Sequence, residues 1–279
     1  MRGPGTNLPP PPAPAAAPPG RLLATGAGLS HRGLVRAVNE DAILIDPSGA
    51  LWAIADGMGG HGHGDLAADL VIDAFARMPH GPGGRGLLAD AFAAAHAEVR
   101  RRARADRLGE IGATAVALLV EDGSAILAWA GDSRAYRLRR GALERLSHDH
   151  SLVQELLDRG EIGPAEAETH PQRHVVTRAV GAGDPAHPDF ADLALAEGDL
   201  YLLCSDGLTR CVPDARIATL LAAAPDPAQA CRALVEAALA GGAPDNVSAI
   251  VVAIGAPAAD GPSTDRPSTD GPATDGAPR

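Results

Sequence analysis

Apolar positions along the chain fall into short β-prone runs and longer helical stretches, separated by glycine, proline and aspartate. Residues 42–45 and 51–55 are strand-like and are joined by the turn signal Asp46-Pro47-Ser48-Gly49, which predicts a hairpin. Residues 65–78 and 86–108 place alanine and larger apolar side chains on one face and arginine on the other, the spacing of two helices. Strand-like runs follow at 114–120, 125–130, 133–138 and 143–146, with Gly123 and Gly141 at the tight turns. Short helices are predicted over 151–159 and 164–169, then strands over 191–195 and 200–205. Helices over 214–224 and 227–239 precede a last strand over 247–254. Helix pairs set among mainly antiparallel strands predict an α+β plan of stacked sheets covered by helical layers. The strict alternation of a Rossmann fold is absent.

The flanks read differently. Residues 1–20 are proline, alanine and glycine with almost no apolar bulk, and predict a disordered lead-in. Residues 256–279 repeat aspartate every five positions, at Asp260, Asp265, Asp270 and Asp275, and predict a flexible acidic tail. The domain expected to fold is therefore 21–255. Its core can be sizeable, because 46% of the 279 residues are hydrophobic although only 3% are aromatic. A net charge of −11 argues against a nucleic-acid partner. All the basic residues are arginine, which says nothing about chemistry. Cys204, Cys211 and Cys231 form neither a CxxC pair nor an even disulfide framework, which points to a reducing compartment. No apolar run reaches membrane-spanning length, and no secretory leader follows the start. The expectation is a cytoplasmic monomer with no membrane partner.

Four carboxylate-bearing segments stand out: Asn39-Glu40-Asp41, Asp56-Gly57, Ser205-Asp206-Gly207 and Asp245-Asn246. Three of them adjoin apolar β-prone runs, where a strand end fixes a side chain well. Glycine beside aspartate lets a backbone carbonyl approach a ligand. Oxygen-only clusters of this kind suit Mg²⁺ or Mn²⁺ better than zinc.

With the segments 32–41, 55–61, 131–136, 204–209 and 244–248 in that order, the chain resembles the PP2C (PPM) family of metal-dependent Ser/Thr protein phosphatases, bacterial type. The likeness covers about residues 22–254. It implies a four-layer α-β-β-α sandwich of two mainly antiparallel sheets flanked by helix pairs, with two metal ions at one sheet edge. By the same likeness Asp56 bridges both ions and the Gly57 carbonyl helps hold the second. Asp206 and Asp245 complete the first site, and Glu40 and Asp41 act through water. Bacterial members often carry a third ion, for which Asp132 and Asp206 are the matching positions. Arg36 matches the phosphate-binding arginine, whose planar fork can grip two phosphate oxygens. His61 is the candidate proton donor to the leaving group. The implied substrates are phosphoserine and phosphothreonine proteins, in opposition to Ser/Thr kinases.

Other readings compete with these. A catalytically silent phosphoprotein-binding module of the same fold would lack the metal acids, and none is missing here. Cys204 to Arg210 matches C-x₅-R, the cradle of cysteine phosphatases, but Asp206 would sit inside that cradle and repel thiolate and phosphate alike. His148, Asp149 and His150 precede a predicted helix and read as capping residues. The segment starting at Asp149 and the stretch 170–181 are expected to form a flap over the site. Arg210 departs from the resemblance, because many relatives carry an acid there, and it places a cation beside the proposed metals.

Overall fold

The structure is a computed structural model and describes residues 22–59, 62–79, 83–121, 123–184 and 187–256. Both expected tails, apart from Ala256, lie outside these residues, as does His61. In chain order the elements begin with β1 (Leu23–His31), β2 (Asp41–Ile45), β3 (Leu51–Gly59), α1 (Gly64–Ala76) and α2 (Gly84–Asp106). Next come β4 (Ile111–Glu121), β5 (Ser124–Ala130), β6 (Arg134–Arg139), β7 (Ala142–Arg145), α3 (Leu152–Asp158) and α4 (Pro164–Thr169). The chain continues through β8 (Asp189–Ala194), β9 (Leu200–Cys204), α5 (Asp206–Thr209), α6 (Asp214–Ala223), α7 (Pro227–Ala240) and β10 (Val247–Gly255).

Two five-stranded antiparallel sheets result, ordered β1-β10-β9-β6-β7 and β2-β3-β4-β5-β8. Successive side chains of a strand point to opposite faces, and here each face meets a different layer. On β3, Ala53 and Ala55 pack toward α1 and α2, while Trp52 and Ile54 pack between the sheets. On β10, Ala249 and Val251 meet α6 and α7, while Ile250 and Val252 enter the intersheet core. Burial on both sides explains why these strands read as continuous apolar runs rather than alternating ones. The alanines beneath α1 and α2 leave room for side chains such as Phe75 and Phe92, which meet edge to face with centroids 5.0 Å apart. The four-layer α-β-β-α sandwich is thus built from three apolar interfaces.

Three elements depart from the sequence expectation. β1 has the glycine-rich sequence LATGAGLSH, with weak strand propensity, and is held by its nine-residue register with β10. β3 does not stop before Asp56 but runs on to Gly59, because β4 pairs with it along that whole length. The four-residue α5 follows β9 directly and is too short to leave a periodic signal.

Leu118 is fully buried between the sheets, whereas Leu34 is 61% exposed. Leu118→Ala should cost about 2–5 kcal/mol in denaturant unfolding, while Leu34→Ala should change stability by about 0.5 kcal/mol or less. Equal losses would contradict this assignment of the core.

Candidate active site

The strand registers bring the acids to one edge. Asp41 opens β2 opposite Asp56 on β3, and Asp56 in turn faces Thr114 on β4. Asp132 lies two residues past β5, Asp206 two past β9, and Asp245 two before β10. Because neighbouring strands run antiparallel, these starts and ends coincide in space. They surround a cleft of about 430 Å³ lined by Arg36, Glu40, Asp56, Gly57, Asp132, Asp206 and Asp245. Of the residues nominated from sequence, Asp41 lies buried rather than on the cleft lining, and His61 falls outside the described residues.

Hydroxyls and amides fix the acids. Asp41 Oδ2 accepts from Ser205 Oγ at 2.8 Å and Ser248 Oγ at 2.6 Å. Its other oxygen, Oδ1, is buried with no donor in reach among the described residues. Ser30 Oγ lies 2.8 Å from Ser248 Oγ and accepts from Asn39 Nδ2, which extends the network to the loop before Glu40. Asn246 ties that loop down. It accepts from the Glu40 N–H and donates to the carbonyls of Arg32 and Val38, each within 2.9 Å. Glu40 Oε1 accepts from the N–H of Gly64, the first residue of α1, at 3.0 Å. A Cβ at Gly57 would strike the Gly64 carbonyl, and one at Gly207 the Asn246 carbonyl, so glycine is required at both by close backbone approach.

Charge is the dominant feature of the cleft. Burial, followed by hydrogen bonds from Ser248 and Ser205 that oppose it and by repulsion from Asp206 and Asp245, leaves Asp41 at about 7. Burial and repulsion from Asp206 and Asp149 push Asp132 to about 7 as well. Asp206 rises to about 6 through burial, although Arg210 opposes the shift, and Asp56 rises well above the carboxylate range through burial and the surrounding acids. Arg36 Nη2 contacts Asp245 Oδ2 at 2.9 Å, and Arg210 reaches the same oxygen at 3.0 Å while also pairing with Asp206 Oδ2. As placed, no three His, Cys, Asp or Glu side chains among the described residues converge closely enough to hold one ion. The donor set nonetheless fits hard divalent cations in kind. It is all oxygen, it carries surplus negative charge that burial makes expensive, and Asp41 keeps an unpartnered buried oxygen.

Several supporting residues were not legible as such in the sequence. Ser151, not His148, Asp149 or His150, caps α3, accepting from the Gln154 N–H at 3.3 Å. Asp149 instead forms a two-oxygen pair with Arg134, and His150 braces the turn that carries Asp132. The His150 N–H donates to the Gly131 carbonyl at 2.9 Å, and His150 Nδ1 accepts from the Gly131 N–H at 3.0 Å. That tautomer leaves the ring proton on Nε2, which donates to Asp189 Oδ2 at 3.1 Å. Gly131 itself sits at φ +116°, where a side chain would be strained and would collide with Thr114. His174 and Val176, from the expected flap, line the same cleft as Arg36. Cys204 is buried in β9 and its thiol is pushed up to about 12 by burial, so it is no nucleophile.

A sequence model of the family described as Protein phosphatase 2C matches residues 26–240. Over 235 residues the chain is 42% identical to the serine/threonine protein phosphatase PstP of Mycobacterium tuberculosis, a match covering 82% of this chain and 45% of PstP. It is 31% identical over 235 residues to the protein phosphatase PhpP of Streptococcus pneumoniae, covering 81% of this chain and 96% of PhpP. The chain belongs to the PP2C family. Solved PP2C-like neighbours include the catalytic domain of the phosphatase PstP in complex with two manganese ions, with a TM-score of 0.78 and 37% identity over 84% of this chain and 99% of that one. PppA, a regulatory component of the type VI secretion system in Pseudomonas aeruginosa, gives a TM-score of 0.76 and 41% identity over 84% of this chain and 99% of that one. This PP2C chain thus spans about half the length of PstP. Among its described residues no helix is long and apolar enough to cross a membrane.

Within this PP2C site, burial lowers the pKa of His150 below 6.5, against the hydrogen bond to Asp189. The folded state therefore keeps the ring neutral at pH values where the unfolded chain already binds a proton. Stability from this residue is fully present above pH 6.5 and is lost as pH falls toward the lowered pKa. His150→Ala should cost about 1–3 kcal/mol near pH 7.5 by stranding the Gly131 N–H. In denaturant titrations the gap between variant and parent should shrink below pH 6.5. A gap independent of pH would mean that His150 contributes packing alone.

Proposed function

We propose that this chain hydrolyses phosphoserine and phosphothreonine in proteins by a divalent-metal-dependent route, opposing Ser/Thr kinases. The observation that carries the reading is the cleft itself, where Asp56 on β3 and Glu40, Asp132, Asp206 and Asp245 beside the ends of other strands surround one space beside Arg36. The kinship to PstP and PhpP supports it.

In this reading Asp56 and the Gly57 carbonyl would hold paired cations, with Asp206 and Asp245 completing one site. Glu40 and Asp41 would organise water around them. Asp132 would join Asp206 at a third position. When bound, paired Mn²⁺ or Mg²⁺ ions would bring the pKa of a water toward neutrality and neutralise charge growing on a phosphoryl group. The manganese bound by the PstP catalytic domain supports that choice of metal. Arg36 presents a guanidinium at the mouth of the cleft, 48% exposed, able to take two phosphate oxygens and orient the group for in-line attack. His61 is the proposed donor of a proton to the departing serine or threonine oxygen, and His174 borders the same cleft from the flap side. No covalent phosphoenzyme is needed, in keeping with the inert Cys204 thiol. Cys204, Cys211 and Cys231 are all free, which supports a cytoplasmic setting, and the chain is taken to act as a monomer.

The test is hydrolysis of a phosphothreonine peptide with Mn²⁺, with EDTA, and after thiol alkylation. Turnover should require Mn²⁺, survive alkylation, and fall by about a hundredfold or more in Asp206→Asn, the scale expected when a principal charge-stabilising group is lost. Activity that ignores EDTA and disappears on alkylation would defeat the metal route. An inactive but phosphopeptide-binding protein would instead mark a binding module.

A further inference from the structure

Arg210 is the residue just past α5, four residues after Asp206, and its backbone N–H donates to the Asp206 carbonyl at 2.9 Å. That helical spacing sets its side chain beside the acid. One guanidinium nitrogen pairs with Asp206 Oδ2, and the other reaches Asp245 Oδ2 at 3.0 Å. A single planar fork thus spans two carboxylates from different strand ends. The contact is sheltered, since the side chains of Arg210, Asp206 and Asp245 are only 27%, 15% and 18% exposed. Arg36 also contacts Asp245 Oδ2, so this one oxygen already serves two guanidinium groups.

We propose that Arg210 is a built-in counter-cation that competes with a divalent ion for Asp206 and Asp245, so that metal loading requires its guanidinium to leave. The inference rests on the metal-site reading above. Its chemistry is that of shared ligands. A hard divalent ion needs carboxylate oxygens at about 2.0–2.6 Å. A guanidinium held on those same oxygens stands close to the ion, in a cleft where burial weakens screening, and the two positive charges repel. The side chain has somewhere to go. Arg210 also lines the adjoining groove of about 980 Å³ beside α3 and α4, where Glu168 and Asp214 offer other carboxylates. Apparent metal affinity is then the intrinsic affinity scaled by the fraction of molecules in which Arg210 is displaced.

The experiment is calorimetric titration of the metal-stripped full chain with Mn²⁺, together with thermal unfolding in EDTA and in saturating Mn²⁺. Arg210→Gln should bind its first Mn²⁺ about tenfold more tightly, because the competitor is gone. In EDTA the same variant should melt below the parent, since Asp206 and Asp245 lose their counter-charge, and saturating Mn²⁺ should close or reverse that difference. Arg210→Lys, which keeps the charge but cannot fork onto two carboxylates, should lie between and guards against a misfolded Gln variant. Equal or weaker Mn²⁺ binding by Arg210→Gln would overturn the counter-cation role while leaving the metal site standing. Failure of both parent and variants to bind Mn²⁺ would overturn the metal-site reading and this inference with it.

Discussion

Like charges drawn together and away from water repel, and the edge of this sandwich gathers Glu40, Asp41, Asp56, Asp132, Asp206 and Asp245 in one place. The upward displacement of Asp41, Asp56, Asp132 and Asp206 measures that opposition, with burial as the leading cause at each. No single contact at the edge could hold such a cluster. What holds it is the depth of the strands behind it, where the cost is spread over three apolar interfaces.

The sandwich suits this task because its strands are pinned on both faces. Asp56 lies within β3, whose earlier residues alternate between the helix layer and the intersheet core, so its register cannot slip without moving Trp52 and Ile54 out of that core. Asp206 and Asp245 flank strands β9 and β10, which pair with each other and fill both the intersheet and the helix-facing cores. Positions two residues beyond such strands inherit their rigidity while still reaching the cleft. Asn246 extends the same order to the otherwise exposed loop of Arg36, through one acceptor and two donor contacts.

Much of this was legible in the sequence because the signals are local. The apolar runs, the turn glycines and the Asp-Gly pairs each announce themselves within a few residues, and the order of five segments fixed the family. What escaped is what depends on a distant partner. β1 is a strand chiefly because β10 lies beside it, and LATGAGLSH offers only weak propensity of its own. His148, Asp149 and His150 look like caps until Arg134 and Gly131 arrive from another part of the chain to claim two of them. The hydroxyls of Ser205 and Ser248 are unremarkable residues in sequence and become supports only once Asp41 is buried against them.

The acids are compensated in two different ways, and the difference sorts them. Asp41 is held by hydroxyls of Ser205 and Ser248, short side chains fixed by β10 and by the end of β9, so its partners have nowhere else to go. Asp206 and Asp245 are held by Arg36 and Arg210, long side chains with several rotatable bonds that regain entropy when released. Hydroxyl donors lower the repulsion without adding charge, whereas guanidinium groups supply the very charge a cation would bring. On the buried floor one oxygen of Asp41 is therefore held by fixed neutral donors, whereas the lip is compensated by charges that can be exchanged for others. An edge built in this way stays folded when its acids are crowded, yet keeps its outer carboxylates open to whichever cation binds them best.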